Sequence, residues 1–258
     1  LNKTVVENPT RAAADMFSVR DVSYSYGAKK ALDKVSIQLD AGRFCALLGP
    51  NGAGKSTLFS LLTRLLVCTE GSIRIAGYDL AREPRKALAR LGVVFQQPTL
   101  DLDMSVSWNL SYFAALQGLS GAPVKRRIDA VLDRLDMRER AREKVRDLNG
   151  GHRRRMEIAR ALIHEPDILL LDEPTVGLDT ASRTAITSHA HDLADSGLLV
   201  FWATHLVDEI RPADDVVILH RGKVLAHETA GELARDGTLA DAFTTLTSGA
   251  PGQQEVIG

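Results

Sequence analysis

One eight-residue stretch restricts this chain more than any other feature. Gly49-Pro50-Asn51-Gly52-Ala53-Gly54-Lys55-Ser56 fits the pattern G-x-x-x-x-G-K-[ST]. It follows the apolar run Phe44–Leu48, which reads as a strand buried on both faces, and it opens a helix. Glycines at these positions let the backbone bend so that several N–H groups point inward, and the helix N-terminus adds partial positive charge. Lys55 then reaches the β- and γ-phosphates of a nucleotide, the Ser56 hydroxyl is a ligand for Mg²⁺, and Thr57 assists at the α-phosphate. An accidental match in a chain of this length arises on the order of 1% of the time at ordinary glycine usage. The strand-loop-helix context makes it rarer still, so a P-loop ATPase or GTPase is the starting class.

The second acidic feature fits that class. Ile168-Leu169-Leu170-Leu171 is an apolar run that ends in Asp172-Glu173. A buried strand can deliver Asp172 to the phosphate-bearing edge, where it holds Mg²⁺ directly or through water. Glu173 can then polarise an attacking water as general base. Alone, an apolar run closing on two acids is only an exposed strand end; downstream of a P-loop it is the expected second half of the site.

The rest of the chain is organised around these segments. Alternating apolar positions at Phe17/Val19, Val35/Ile37/Leu39 and Ile73/Ile75 read as half-buried strands, and Leu198–Ala203 and Val216–Leu219 as buried ones. Asn109–Gln117, Val124–Leu135, Arg153–His164 and Ala181–Asp195 have helical spacing, the third stopping before Pro166. Arg221-Gly222 reads as a hairpin turn, and Thr229 with Glu232 as a capping box. The expected architecture is an α/β P-loop NTPase core, with a β-rich N-terminal part and an inserted α-helical subdomain at about 98–160. A single domain is expected over 16–247, between tails at 1–15 and 248–258.

Composition narrows the partners. Lys and Arg total 32 against 33 Asp and Glu, a formal net charge of −1, so no polyanion-seeking surplus exists and no nucleic-acid partner is expected. No run reaches the ~18–20 apolar residues of a membrane span. Cys45 and Cys68 suit a reducing compartment, with Cys45 read as a buried, inert thiol. The first residue is Leu1, so nothing about targeting is read from that end.

These motifs together resemble the ATP-binding cassette family, the nucleotide-binding subunits of ABC transporters, over roughly residues 16–247. Tyr26, in Tyr24-Ser25-Tyr26-Gly27, resembles the aromatic that stacks on adenine, in preference to Tyr24. Gln96, in Val93-Val94-Phe95-Gln96, resembles the glutamine that senses Mg²⁺ and the attacking water. Leu148-Asn149-Gly150-Gly151-His152 is similar to the family signature LSGGQ at the start of a helix. Asp179, in Val176-Gly177-Leu178-Asp179, resembles the D-loop aspartate, and His205 after Ala203-Thr204 the switch histidine. Singly, each has a bland explanation: an edge-strand tyrosine, a polar loop glutamine, a helix-capping aspartate, a structural histidine. Together, in order around the Gly49–Ser56 loop and the Asp172-Glu173 strand end, they are not independent accidents.

The resemblance implies an ATPase using ATP and Mg²⁺, with Lys55, Gln96, Glu173 and His205 catalytic and Ser56, Gln96 and Asp172 at the metal. It implies a homodimer arranged head to tail, in which Asn149, Gly150, Gly151, His152 and Asp179 reach the partner's nucleotide. It also implies transmembrane permease subunits as partners and a peripheral place on the cytoplasmic face of the inner or plasma membrane, as the motor of an exporter. The Leu148–Arg155 string looks like the drug-exporter, ABC-2-type branch; with Gln96–Asp103 it resembles the subgroup accompanying pyrroloquinoline-quinone-dependent alcohol oxidation systems. The alternative is a soluble ABC ATPase acting in cofactor assembly or on nucleic acid or the ribosome. Asn149 and His152 stand where the family usually has Ser and Gln. An amide at 149 can still donate to a phosphate oxygen, and a histidine at 152 is expected either to hydrogen-bond as Gln would or to add a mild pH dependence near 6–7. Arg153-Arg154-Arg155 is expected to form a solvated helix face paired with nearby acids.

Overall fold

A computed structural model describes residues 16–248; the tail expectations for 1–15 and 249–258 lie outside the described residues, while Ser248 ends the last helix. The elements run β1 (Phe17–Tyr26), β2 (Lys29–Leu39), β3 (Phe44–Leu48), α1 (Lys55–Leu62), β4 (Glu70–Ile75), β5 (Tyr78–Asp79), α2 (Pro84–Leu88) and β6 (Leu91–Val94). Then come α3 (Val106–Leu116), α4 (Ala122–Arg134), α5 (Gly150–Leu162), β7 (Ile168–Asp172), α6 (Thr180–Asp195), β8 (Leu199–Thr204), β9 (Asp215–His220), β10 (Lys223–Thr229), α7 (Ala230–Leu233) and α8 (Leu239–Ser248).

β3 is the organising strand. It lies between β8 and β9, parallel to both, in a sheet of order β10-β9-β3-β8-β7-β6. All five of its residues are buried, as a strand covered on both faces requires. Successive side chains point to opposite faces, and the packing follows that rule. Phe44, Ala46, Leu48, Leu169, Leu171, Val200 and Trp202 enter one core, with the helices α3–α6. Cys45, Leu47, Ile168, Leu170, Leu199, Phe201 and Ala203 enter the other, under α1 and the antiparallel sheet β2-β1-β4-β5. Each fully buried leucine here contributes about 2 kcal/mol of burial.

The Arg221-Gly222 turn joins β9 and β10 into an antiparallel hairpin. The Thr229–Glu232 capping box forms in full, although the helix it starts is only four residues long. Helices α3, α4 and the start of α5 occupy the expected insertion between β6 and β7. Among the described residues, no helix is long and apolar enough to cross a membrane.

Candidate functional site

Parallel strands end at one edge of a sheet, so their C-terminal loops converge there. Leu48 pairs in register with Thr204, and Asp172 with Ala203, so the ends of β3, β8 and β7 stand side by side. β6 ends beside β7, with Val94 opposite Leu171. Those ends carry the Gly49–Ser56 loop, His205, Asp172-Glu173 and Gln96. Residues far apart in sequence thus reach one edge because the pairing is parallel.

The loop geometry accounts for its glycines. Gly54, at φ +113°, precedes the first turn of α1. A Cβ there would lie 2.8 Å from the Ala31 carbonyl oxygen, and one at Gly49 would lie 2.5 Å from that of Leu219. A side chain at either place would push the loop off its supports. Pro50, Asn51, Gly52, Ala53, Gly54, Lys55, Ser56 and Thr57 line a hollow of 410 Å³ together with Tyr26 and Glu173. Gly49 sits behind it. Tyr26, 52% exposed, stands at the rim edge-on to Tyr24, 5.1 Å between ring centroids, whereas Tyr24 packs against the core.

The Lys55 ammonium donates to the Gly49 carbonyl at 2.5 Å and stands 3.5 Å from Glu173 Oε1. Two further groups approach the same carboxylate: His205 Nδ1 at 3.5 Å from Oε1, and Gln96 Nε2 at 3.5 Å from Oε2. Glu173 adopts φ +46°, left-handed backbone that costs on the order of 1 kcal/mol outside glycine. Its N–H offsets that by donating to the Ala203 carbonyl at 3.0 Å. Asp172, one residue back, is partly buried, and burial first, then the Glu173 charge, pushes its carboxyl above the usual range. A cation beside it would reverse that shift. Ser56, Asp172 and Gln96 supply hard oxygen donors with one carboxylate, the set Mg²⁺ takes when phosphates complete its shell. Among the described residues there is no His/Cys/Asp/Glu cluster able to hold a metal alone.

The signature segment lies elsewhere. Asn149 caps α5, its Oδ1 accepting the His152 N–H at 2.9 Å. Asn and Ser are nearly equal at that position, which explains the exchange physically. Asp179 caps α6 in the same way, accepting from the Ser182 N–H and hydroxyl, and those bonds hold its carboxyl below the usual range. None of Asn149, Gly150, Gly151, His152 and Asp179 lines the Lys55 hollow. The His152 imidazole is pushed down by burial, then by Arg140 and Arg155. That direction favours the first of the two expectations for His152, hydrogen bonding as Gln would, over a pH dependence near 6–7.

The arginine run needs a correction. Arg154 is not on a solvated face: its side chain is 10% exposed and pairs with the buried Glu157 at 2.9 Å. It also donates to the carbonyls of Phe95 (2.8 Å) and Gln96 (3.1 Å), while Glu157 accepts the Thr99 N–H at 2.8 Å. Arg153 holds the Val145 and Arg146 carbonyls, and Arg155 that of Leu135. The run fastens the signature helix to the Gln96 loop and to the insertion. The expected pairing with a nearby acid is thus present at Glu157, but buried, and the run's other donors saturate backbone carbonyls, which a count of neighbouring acids does not reveal.

Sequence reasoning also missed one wall of the hollow. Arg221-Gly222, read only as a turn, lines it with Lys29 and Lys30, and Gly222 accepts from Asp33 N–H and donates to Ala53. A larger hollow of 740 Å³ opens between α4 and the α5–β7 turn, lined in part by Arg126, Arg127 and Glu165. It holds none of the residues above; chemistry rather than volume selects the Lys55 site.

The ABC transporter family model matches residues 32–176. The chain is 34% identical to the linearmycin resistance ATP-binding protein LnrL of Bacillus subtilis (strain 168), over 84% of this chain and 70% of that protein. It is 38% identical to the daunorubicin resistance ATP-binding protein DrrA3 of Streptomyces coeruleorubidus, over 81% of this chain and 66% of that one. The chain thus spans about two thirds of these relatives' length. A solved ATP-binding subunit of an ABC transporter superposes with TM-score 0.78 at 28% identity, covering 90% of this chain and 99% of that one. The cbiO1 protein of Clostridium perfringens, part of an ABC transporter complex, does so with TM-score 0.80 at 28% identity, covering 86% and 92%.

Proposed function

Because this chain belongs to the ABC transporter family as an ATP-binding ATPase subunit, we propose that two copies of it close head to tail around ATP and power an exporter. The carrying observation is the separation of the two half-sites: Lys55, Ser56 and Glu173 share a hollow whose walls contain no residue of Asn149–His152. A second copy that offers its Gly150-Gly151 turn completes the enclosure and excludes water from the phosphates. With its Oδ1 committed to capping α5, Asn149 keeps its amide group for donation to a phosphate oxygen.

Within the closed site, Lys55 leaves the Gly49 carbonyl for the β- and γ-phosphate oxygens. Ser56, Asp172 and Gln96 would hold Mg²⁺, which would supply charge neutralisation at those phosphates. Glu173 accepts a proton from the attacking water, and His205 holds the γ-phosphate and the Glu173 carboxylate in line. Tyr26 stacks on adenine. Hydrolysis removes the ligand that joins the two copies, and the pair opens.

Membrane permease subunits receive that opening, which places the chain at the cytoplasmic membrane surface. Their docking is supported by an apolar stripe on the insertion: Leu102, Met104, Trp108, Tyr112 and Leu116 are all exposed, with Trp108 and Tyr112 stacked at 5.4 Å. An exposed apolar patch of this kind marks an interaction surface. The relatives' names, linearmycin resistance and daunorubicin resistance, favour export as the direction.

Mixing two inactive variants tests the arrangement. Lys55→Ala and Gly150→Glu each disable a different half-site; a Cβ at Gly150 would meet the Leu178 Cδ2 at 3.1 Å, the end of a flexible side chain that has only to shift slightly. In a 1:1 mixture, the mixed dimers keep one intact site, so ATPase activity returns to roughly a quarter of wild type. A mixture as inactive as its components refutes the head-to-tail reading.

A further inference from the structure

We propose that Glu209 is a positioning residue for hydrolysis: a buried carboxylate that fixes, at one point, the chain segments presenting Glu173 and His205. The inference rests on the roles proposed above for those two residues. Glu209 ends the short 3₁₀ turn Val207–Glu209 and is 5% exposed. Its Oε2 accepts the Thr204 hydroxyl at 2.7 Å and the Trp202 indole N–H at 3.0 Å, and its Oε1 accepts the Thr175 hydroxyl. Thr175 lies two residues beyond Glu173, and Thr204 immediately precedes His205. The Thr204 hydroxyl in turn accepts the Leu206 N–H at 3.0 Å, so His205 is spanned from both sides.

The chemistry of the junction is specific. All three groups facing Glu209 are neutral donors, and a carboxylate accepts from all of them without offering a donor of its own. Thr175, Thr204 and Trp202 are each buried, so these donors have no water to turn to once the carboxylate is gone. An apolar residue at 209 would leave all three unpaired. A glutamine would keep two acceptor contacts and turn its amide toward Thr175, whose hydroxyl can rotate to accept. Glu173 already holds strained backbone, and His205, at the end of β8, is 43% exposed and has no cover of its own. Both depend on their neighbours for placement. A shift of about 1 Å in either costs on the order of 10²-fold in rate, whereas the phosphate cradle, built by β3 and α1, does not include this junction.

Steady-state hydrolysis and ATP binding by the purified full chain test the proposal. Glu209→Ala is expected to lower kcat at least ~10-fold with the ATP dissociation constant within ~3-fold of wild type, and Glu209→Gln to restore most of the rate. Thr175→Val and Thr204→Val, which remove one donor each at nearly constant volume, are each expected to lower kcat several-fold with unchanged binding. A Glu209→Ala protein that is folded and turns over at the wild-type rate overturns the proposal, as does one whose rate and ATP affinity fall in step. If Glu209→Ala does not fold, wild-type rates in both threonine variants overturn it. Glu173-dependent hydrolysis that ignores position 209 defeats this inference alone; hydrolysis that ignores Glu173 defeats the functional reading beneath it.

Discussion

Lys55 and Glu173 stand 3.5 Å apart, Nζ to Oε1, with side chains 6% and 15% exposed. The first comes from the loop after β3 and the second from the turn after β7. In the proposed mechanism the phosphate-binding cation and the general base thus start in contact, and nucleotide binding would draw the cation off the base.

Glu173→Gln should separate binding from chemistry. It keeps the length of the side chain and removes its ability to take a proton, so ATP binding is expected to persist while turnover falls by about 10²–10⁴-fold. A nucleotide-dependent dimer should then accumulate on size-exclusion chromatography. Turnover near wild type would remove Glu173 from the base role.

Lys55→Ala should weaken ATP. Loss of a charge-assisted contact of about 1.5–3 kcal/mol corresponds to an affinity roughly 10–150-fold lower, measured by nucleotide titration. Unchanged affinity contradicts the phosphate cradle.

Arg154→Met should destabilise the fold by about 3 kcal/mol in urea denaturation, because it strands Glu157 as a buried charge. Burial already pushes the Glu157 carboxyl up and the Arg154 guanidinium down. Adding Glu157→Gln is expected to recover part of the loss, since a buried amide needs no counter-charge. Equal stability in single and double variants would show that the pair is not coupled.

Stability should fall as the solution is acidified below pH 6.5. Burial pushes the imidazoles of His152, His164, His189 and His227 below their ordinary value. In that window the unfolded chain binds more protons than the folded one, so unfolding becomes easier as pH drops toward their folded values and is unaffected by these groups above pH 7. Denaturation midpoints measured from pH 8 to 5 check the sign. For the same reason His152→Gln should leave the ATPase pH profile unchanged from pH 7 upward.

Trp108→Ala and Tyr112→Ala should leave the stability of the isolated chain within about 0.5 kcal/mol, because both side chains are half exposed. Co-purification with membranes should be lost. Retention at wild-type levels moves the permease surface elsewhere.

The Gly49–Ser56 loop was readable because every position in it has a local chemical reason, and so was Asp172-Glu173 at the end of an apolar strand. The Arg153–Arg155 run was half legible: the acid that pairs with Arg154, Glu157, stands at helical spacing, but its burial does not show in the sequence. The further acceptors of Arg154, the carbonyls of Phe95 and Gln96, are invisible in side-chain identity. Glu209 left no trace in periodicity or spacing, since its partners come from β8 and from the turn beyond β7.

By itself the sequence determined which strands are buried on both faces, where the phosphate loop must sit, and which side chains can hold a phosphate, a divalent cation or a proton. Those are properties of short segments, set by apolar periodicity, glycine and residue chemistry. Only the tertiary structure decided that β3, β8, β7 and β6 lie parallel and end at one edge, bringing Lys55, Glu173, His205 and Gln96 together while Asn149–His152 stay outside that hollow. Strand order is a choice among long-range pairings of nearly interchangeable apolar strands. It is made by how their two faces pack, which no local stretch of sequence contains.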